Sequence, residues 1–417
     1  MIRRRTLLGA SLATPFLGRP GRAQGAARVV VVGGGFGGAS AAHALRRADP
    51  AIDVTLVEAS ATYTACPFSN HVVAGLRDIA DQRFGYGPMP AAGIRVVHAA
   101  ATAVDAQARL VRVGGSSLPY DRLVLSPGVD MNLAALPGYD EAATAAMPHA
   151  WKAGAQTLLL RAQLEAMPDG GVVAMSVPAN PFRCPPGPYE RASLIAHYLK
   201  THKPRSKLLV LDAKDVFSKQ RLFTAAWARL YPGTLEWVGL SAGGRVTRVD
   251  PGGLTFETEF GSHKADVANV IPPQRAAHVA VLAGVADRTG WCPVDPSSFE
   301  SRLVPGVHVI GDAAVAGAMP KSAFAANAQA RQCAEAIAAL LAGRPVDEPR
   351  LINTCYSMVA PGYAISVAGV YRPMRGVLTD IEGASGTSPL DAPDTTRALE
   401  AQYAEVWFST ITGAAFG

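Results

Sequence analysis

The chain has 417 residues, 49% of them hydrophobic and 17% charged, which allows two or three domains with ample core and excludes a disordered protein. Its formal charge of +6 sits mostly in residues 1–26, which hold Arg3, Arg4, Arg5, Arg19 and Arg22 and no acid. The rest carries +1, and no basic block follows that would suit nucleic acid.

Residues 1–26 read as a secretory leader: a basic start, a mild apolar run to Leu17, then small and polar residues. The run is too short to span a bilayer. Arg4-Arg5 followed by x-Leu-Leu looks like a twin-arginine signal, which carries folded, cofactor-loaded proteins; an ordinary basic leader is the alternative. Either route predicts an exported, periplasmic chain. Residues 27–32 are a β-branched run expected of a buried parallel strand, residues 39–47 a helix, and Asp53–Val57 a second strand ending before Glu58. Residues 94–113 predict a small meander, and 118–125 a strand closed by Ser126-Pro127-Gly128. Strands are expected at 170–177, 207–211 and 307–310, helices at 192–199 and 324–341, and an edge hairpin at 254–260. From Glu348 onward the chain reads as irregular.

This order predicts an α/β protein. A dinucleotide-binding domain (27–150 and 276–345) is split by a second Rossmann-like domain (151–275), and a C-terminal α+β interface domain (346–417) follows.

Gly33-Gly34-Gly35-Phe36-Gly37-Gly38 carries the pattern Gly33-x-Gly35-x-x-Gly38 directly between a strand and a helix. The first glycine permits the turn, the second lets a pyrophosphate approach the backbone, and the third lets helix pack on strand. Glu58 lies 20 residues after Gly38, where a carboxylate binds adenosine ribose hydroxyls. The inserted domain has no such fingerprint. Its first strand is followed by Pro178-Ala179-Asn180-Pro181-Phe182-Arg183-Cys184-Pro185-Pro186, where prolines remove the N–H donors a pyrophosphate needs. Nicotinamide binding is therefore expected to be lost there.

Five cysteines remain, Cys66, Cys184, Cys292, Cys333 and Cys355, none in a CxxC or CxxCH arrangement, so no metal site or c-type haem is expected in this chain. Cys333 reads as core and Cys292 as a small apolar filler.

Val304-Pro305-Gly306-Val307-His308-Val309-Ile310-Gly311-Asp312 resembles the second FAD motif of the two-dinucleotide-domain flavoproteins, of the glutathione-reductase-like superfamily. That resemblance makes FAD the cofactor and gives Asp312 the ribityl chain. Tyr120–Gly128 resembles the same family's strand-and-glycine motif, with Ser-Pro in place of Ala-Thr. The loop Phe182-Arg183-Cys184-Pro185-Pro186-Gly187-Pro188-Tyr189-Glu190-Arg191 and the segment Asn353-Thr354-Cys355-Tyr356-Ser357 resemble the flavoprotein chain of flavocytochrome c sulfide dehydrogenase.

That resemblance implies a redox-active Cys184–Cys355 disulfide beside the flavin; the alternative is a purely structural bridge, common in exported proteins. It implies a thioether from Cys66 to the flavin 8α-methyl carbon, against a plain buried thiol. Glu190 matches an acid the family keeps near the disulfide, a candidate general base or otherwise a helix-start carboxylate. Lys321 is a cation for reduced flavin or an ordinary surface lysine. The implied reaction oxidises sulfide to persulfide, polysulfide or sulfur. Electrons pass to a c-type cytochrome subunit that holds the haem, with Tyr363, Tyr371, Trp407 and Phe408 as contact or core. The competing readings are a sulfide:quinone oxidoreductase, which needs a C-terminal membrane-docking helix, a non-catalytic flavin-binding subunit, and an NAD(P)H-dependent reductase.

Overall fold

The computed structural model describes residues 25–417, so almost all of the expected leader lies outside the described residues. Arg28–Val32 is the central strand of a five-stranded parallel sheet, with Asp53–Val57 and Ile94–Val97 on one side and Arg122–Leu125 and Val307–Val309 on the other. Both faces of this sheet are covered, which is why its strands are continuous Val and Leu runs rather than alternating ones. Helices Phe36–Ala48 and Ala323–Leu341 pack against each other, and their alanines allow a close approach.

A second parallel sheet runs in the order Leu235–Val238, Lys207–Asp212, Val172–Val177, Val267–Val270. Each parallel sheet is accompanied by a three-stranded antiparallel one: Ala101–Asp105, Leu110–Val113 and Ser116–Pro119 with the first, Val246–Asp250, Thr255–Thr258 and Gly261–Lys264 with the second. The strand expected over 118–125 is two strands. The chain turns at Asp121, whose carboxylate accepts from the Arg28 amide at 2.7 Å.

The last 70 residues are not irregular. Leu351–Ala360, Tyr363–Met374 and Val377–Asp380 form an antiparallel sheet, and Asp394–Phe416 is a 23-residue helix. The inward positions of that helix follow a 3.6-residue period but begin with Arg397 and Glu400, so its apolar stripe starts late. Those two form a buried ion pair at 3.3 Å. Further along, Phe416 packs on Phe36, Tyr63, Phe84 and Tyr86, and Phe408 on Phe68. Burying each such ring contributes roughly 1.5–3 kcal/mol, so this helix is anchored to the first domain. Of the four C-terminal aromatics weighed above as contact or core, Tyr371 and Phe408 are core, while Tyr363 and Trp407 are half-buried. Strand Leu351–Ala360 lies across helices Gly187–His202 and Ala323–Leu341, and so joins the two parallel-sheet units where they meet.

Candidate active site

The strand Arg28–Val32 runs into Gly33, whose φ of +99° favours glycine and where a Cβ would collide with the Ser126 carbonyl. A Cβ on Gly38 would strike the Gly33 carbonyl, so the helix begins tight against the turn. No side chain caps that helix, which leaves its first N–H groups facing the cleft. Glu58 accepts from the Gly34 amide at 2.7 Å and the Ser60 amide at 2.9 Å, which fixes its carboxylate beside the turn.

These residues open onto a cavity of about 550 Å³. Gly33, Gly35, Phe36, Glu58, Cys66, Gly128, Cys184, Glu190, Gly311, Asp312 and Cys355 all line it. Gly38 lies behind the turn, and Lys321 does not line the cavity either. The Lys321 ammonium donates to the carbonyls of Asp312 (2.9 Å) and Ala314 (2.7 Å) and lies 4.0 Å over the Trp291 ring. It is thus neither an ordinary surface lysine nor a cation in the cavity. Burial depresses its pKa to about 8.

Asp312 supplies the test of whether a flavin dinucleotide fits. Its Oδ1 is buried without a partner, while its Oδ2 stands 4.0 Å from Arg183 Nε. Burial raises its pKa, so this carboxyl has an unmet need for a donor. A ribityl hydroxyl would meet it, and the glycine turn, the uncapped helix and Glu58 suit the rest of the cofactor.

Cys184 sits between strand Val172–Val177 and helix Gly187–His202, at a φ of +57° that few non-glycine residues adopt. Its amide donates to the Lys321 carbonyl at 2.8 Å, and its own carbonyl accepts from the Gly187 amide at 2.8 Å. A Cβ on Gly187 would lie 2.9 Å from both Cys184 Sγ and Trp151 Cη2, so only glycine admits the sulfur here. Cys355 lies mid-strand, with Asn353 Nδ2 3.5 Å from its sulfur. Burial pushes the Cys184 thiol well above the ordinary range, and the nearby Cys355 adds to the rise. All five cysteines are free, so the expected Cys184–Cys355 bridge is not formed in this structure. Cys292 and Cys333 are fully buried and away from the cavity lining.

Glu190 is held on both oxygens: Asn70 Nδ2 donates to Oε2 and the Met358 amide to Oε1, each at 2.9 Å. Burial is the largest influence and raises its pKa despite these donors. Glu190 is therefore part of the cavity wall rather than a free helix-start carboxylate.

Three cations at this site were not legible in the sequence. Arg183 donates to the Trp151 carbonyl and faces Asp312. Arg191 is buried, with bonds to Asn70, Asn269 and the carbonyls of His149 and Ala150. Lys219 is buried and donates to the Cys355 carbonyl (2.9 Å), Ser357 Oγ (2.7 Å) and the Ile365 carbonyl (3.3 Å). The only hint was that Arg183 and Arg191 flank the cysteine–glutamate loop.

The inserted domain's counterpart of Glu58 is Asp212, at the end of Lys207–Asp212. It is fully buried and engaged by Tyr189 (2.7 Å), Trp237 (3.0 Å) and Lys214 (2.6 Å). Phe217 stacks on Tyr189 at 3.6 Å beside it. Phe217 also packs on Trp237, so aromatic side chains crowd around this carboxylate. Among the described residues no group of three His, Cys, Asp or Glu could hold a metal ion.

A glycine-turn parallel-sheet domain with a second Rossmann-like unit defines the class: a flavoprotein of the two-dinucleotide-domain type. A family model for pyridine nucleotide-disulphide oxidoreductases matches residues 27–159. The models for the sulfide dehydrogenase (flavocytochrome c) flavoprotein chain, central, and for flavocytochrome c sulphide dehydrogenase, flavin-binding, match 157–272 and 347–416. The flavoprotein chain of flavocytochrome c sulfide dehydrogenase from Chlorobaculum thiosulfatiphilum is 65% identical over 48 residues, 12% of this chain and all of that sequence. The chain belongs to the family of flavocytochrome c sulfide dehydrogenase flavoprotein chains. A type II NADH:quinone oxidoreductase of Mycobacterium tuberculosis is 32% identical over 137 residues, 30% of this chain and 27% of that one. The solved sulfide:quinone oxidoreductase of Aquifex aeolicus shares the fold at a TM-score of 0.73, with 19% identity over 93% of this chain and 92% of that one.

Proposed function

We propose that this chain oxidises sulfide at a Cys184–Cys355 pair that alternates between bridge and thiols, and passes the electrons through FAD to a c-type cytochrome subunit. The observation that carries the reading is that Cys184, Cys355 and Glu190 line the same cavity as the glycine turn and Asp312. The FAD bound there supplies the step from electron pairs to single electrons.

In the oxidised pair, HS⁻ attacks one sulfur, the S–S bond breaks, and a cysteine persulfide and a thiolate form. A second HS⁻ takes the outer sulfur as HSS⁻, which returns the other cysteine as a thiol. The thiol and thiolate then re-form the bridge and release one proton and two electrons. The sum is two HS⁻ giving HSS⁻, one proton and two electrons. Glu190 takes the proton from H₂S or from the returning thiol, because its carboxylate is fixed by Asn70 and Met358 at the cavity wall. Lys219 and Arg183 keep positive charge beside the thiolates. Cys66 tethers the flavin by a thioether.

Electron exit to a cytochrome is supported by the family membership. Among the described residues no helix is long and apolar enough to cross a membrane. Nicotinamide plays no part, in keeping with the engaged carboxylate of Asp212. The Arg-rich start of the sequence supports a periplasmic location, with the cofactor loaded before export and the haem on the partner.

Anaerobic mixing of the purified complex with sulfide tests the reading. The flavin bleaches and the haem then reduces. Cys184→Ser and Cys355→Ser each retain flavin but slow the bleaching by about a thousandfold or more. Bleaching at the native rate in either variant would remove the pair from the reaction, and reduction of a quinone in preference to cytochrome c would remove the acceptor.

A further inference from the structure

Two adjacent residues, Lys321 and Ser322, reach both cysteines of the pair. The Lys321 carbonyl accepts from the Cys184 amide at 2.8 Å. The Ser322 hydroxyl lies 2.6 Å from Asn353 Oδ1, and Asn353 Nδ2 lies 3.5 Å from Cys355 Sγ. Asn353 and Cys355 are alternate residues of the strand Leu351–Ala360, so their side chains leave the same face. Ser322 accepts from the Ala325 amide at 3.0 Å where the helix Ala323–Leu341 begins, which leaves its own proton for Asn353. A contact of 2.6 Å is the length of an O–H···O bond and is too short for N–H···O. The amide oxygen therefore faces Ser322, and the amide N–H groups face the sulfur. The reverse route, from the thiol to Asn353 Oδ1, is longer at 4.0 Å.

The two sulfurs are not equivalent. Cys184 packs against the apolar cluster of the inserted domain, with Gly187 and the Trp151 ring beside it. Burial there works against a charged sulfur. Lys219 donates to the Cys355 carbonyl, Ser357 Oγ and the Ile365 carbonyl, so the three N–H groups of its ammonium are spent and none is left for the sulfur. The side-chain amide of Asn353, itself buried, is the donor that reaches Cys355 Sγ.

We infer that Asn353 is a catalytic donor in the opening of the bridge, with Ser322 as its positioning residue: Asn353 makes Cys355 the leaving sulfur, so that sulfide adds to Cys184. The inference rests on the Cys184–Cys355 reading given above. HS⁻ gives an electron pair to Cys184 Sγ, a new S–S bond forms there, and the bond to Cys355 breaks. The pair of the broken bond stays on Cys355 Sγ as a thiolate, facing the Asn353 N–H. Cys184 carries the persulfide, with the proton that came on HS⁻. The single negative charge enters on HS⁻ and ends on Cys355. A sulfur that is stabilised as an anion leaves faster in such an exchange. A hydrogen bond to the charged form supplies that stabilisation.

The test uses the full flavin-loaded chain with its bridge formed. It is mixed anaerobically with substoichiometric sulfide, quenched with an alkylating agent within the first turnover, and digested for mass spectrometry of the two cysteine peptides. In the native chain the persulfide sits on the Cys184 peptide, in about tenfold or greater excess over the Cys355 peptide. In Asn353→Leu the bridge opens about tenfold more slowly, and the persulfide divides between the two peptides. Ser322→Ala leaves the amide in place but unsteered, and gives an intermediate rate. Asn353→Asp keeps the shape but turns an acceptor toward the sulfur, so it too loses the Cys184 preference; it serves the same comparison if the leucine variant does not accumulate. A native bridge that sulfide does not open would sink the reading of the pair itself. Native persulfide mainly on Cys355 would overturn the role of Asn353 and leave the pair reading standing. Slower opening with an unmoved partition in the Asn353 variants would mark the residue as structural only, and so would overturn it too.

Discussion

Asn70 donates its side-chain amide to the Glu190 carboxylate at 2.9 Å, from a short helix next to Cys66 to the first turn of the helix that follows Cys184. The Met358 amide closes the other oxygen from the strand that carries Cys355. One carboxyl thus ties together the three segments that hold the cavity's cysteines.

That geometry gives Glu190 a pH signature. Burial raises its pKa, so the carboxylate form, which takes the proton, is lost at a higher pH than for an ordinary glutamate. The kcat/KM for sulfide should fall on the acid side through this raised value. Glu190→Gln should lower the rate by about 10²–10⁴-fold and remove that limb. The ionisation of sulfide is common to both proteins, so the ratio of their pH profiles isolates the carboxyl. A ratio that does not change with pH would show that Glu190 is only structural.

Much of the first domain could be read from the chain because backbone geometry forces the residue type there. Gly33 needs a positive φ, and Gly38 cannot carry a Cβ, so the fingerprint is written in glycine. The C-terminal region could not be read this way because its inward positions are polar. Asn353 faces Ser322 at 2.6 Å, Ser357 receives Lys219, and Arg397 pairs with Glu400. Each breaks the apolar period on which strand and helix assignment depends. The helices Ala155–Ala166 and Gln220–Leu230 were missed as well, since only a narrow stripe of each is buried. Arg183 and Lys219 carried no local signal, because their partners lie on segments distant in sequence. The loop cysteines and Glu190 were found by resemblance, and their common cavity is a property of the fold.

The glycine turn makes a stricter prediction. Gly38→Ala places a methyl carbon on the Gly33 carbonyl, and both are backbone-fixed, so the helix must move. Overpacking of this kind costs about 1–3 kcal/mol. The variant should unfold at a lower temperature and purify with little flavin. Gly233→Ala, away from the cavity, is the control: its φ of +71° is strained for alanine, but its Cβ meets nothing. It should retain more flavin than Gly38→Ala. Equal flavin content in native and Gly38→Ala protein, read from the visible absorbance per chain, would contradict the close approach.

The occupied Asp212 predicts how the flavin answers nicotinamides. Tyr189, Trp237 and Lys214 use both of its oxygens, and no exposed carboxylate remains there for a ribose. Millimolar NADH or NADPH should leave the flavin oxidised for as long as sulfide takes to bleach it many times over. Tyr189→Phe frees one bond to Asp212 without emptying the aromatic cluster, and it too should stay unresponsive. Rapid anaerobic bleaching by NADH would mean that the cluster opens in solution.

Lys219 links the cysteine strand to the stability of the whole fold. Burial lowers its pKa to about 8, although Cys355 and Glu190 favour the charged form. Unfolding would restore an ordinary lysine value of about 10.4. Between these two values the unfolded chain binds the extra proton, so stability rises with pH across that window. Below pH 8 the cost of the buried charge is fully present, up to about 3 kcal/mol for this interval. Lys219→Met removes the titrating group and should flatten the rise in urea midpoint between pH 8 and 10, whatever it does to the midpoint itself. The cysteines and tyrosines titrate in both proteins, so the difference between the two curves reports this lysine. Parallel curves would mean that its ammonium is hydrated and that the three carbonyl and hydroxyl contacts around Cys355 do not persist in solution.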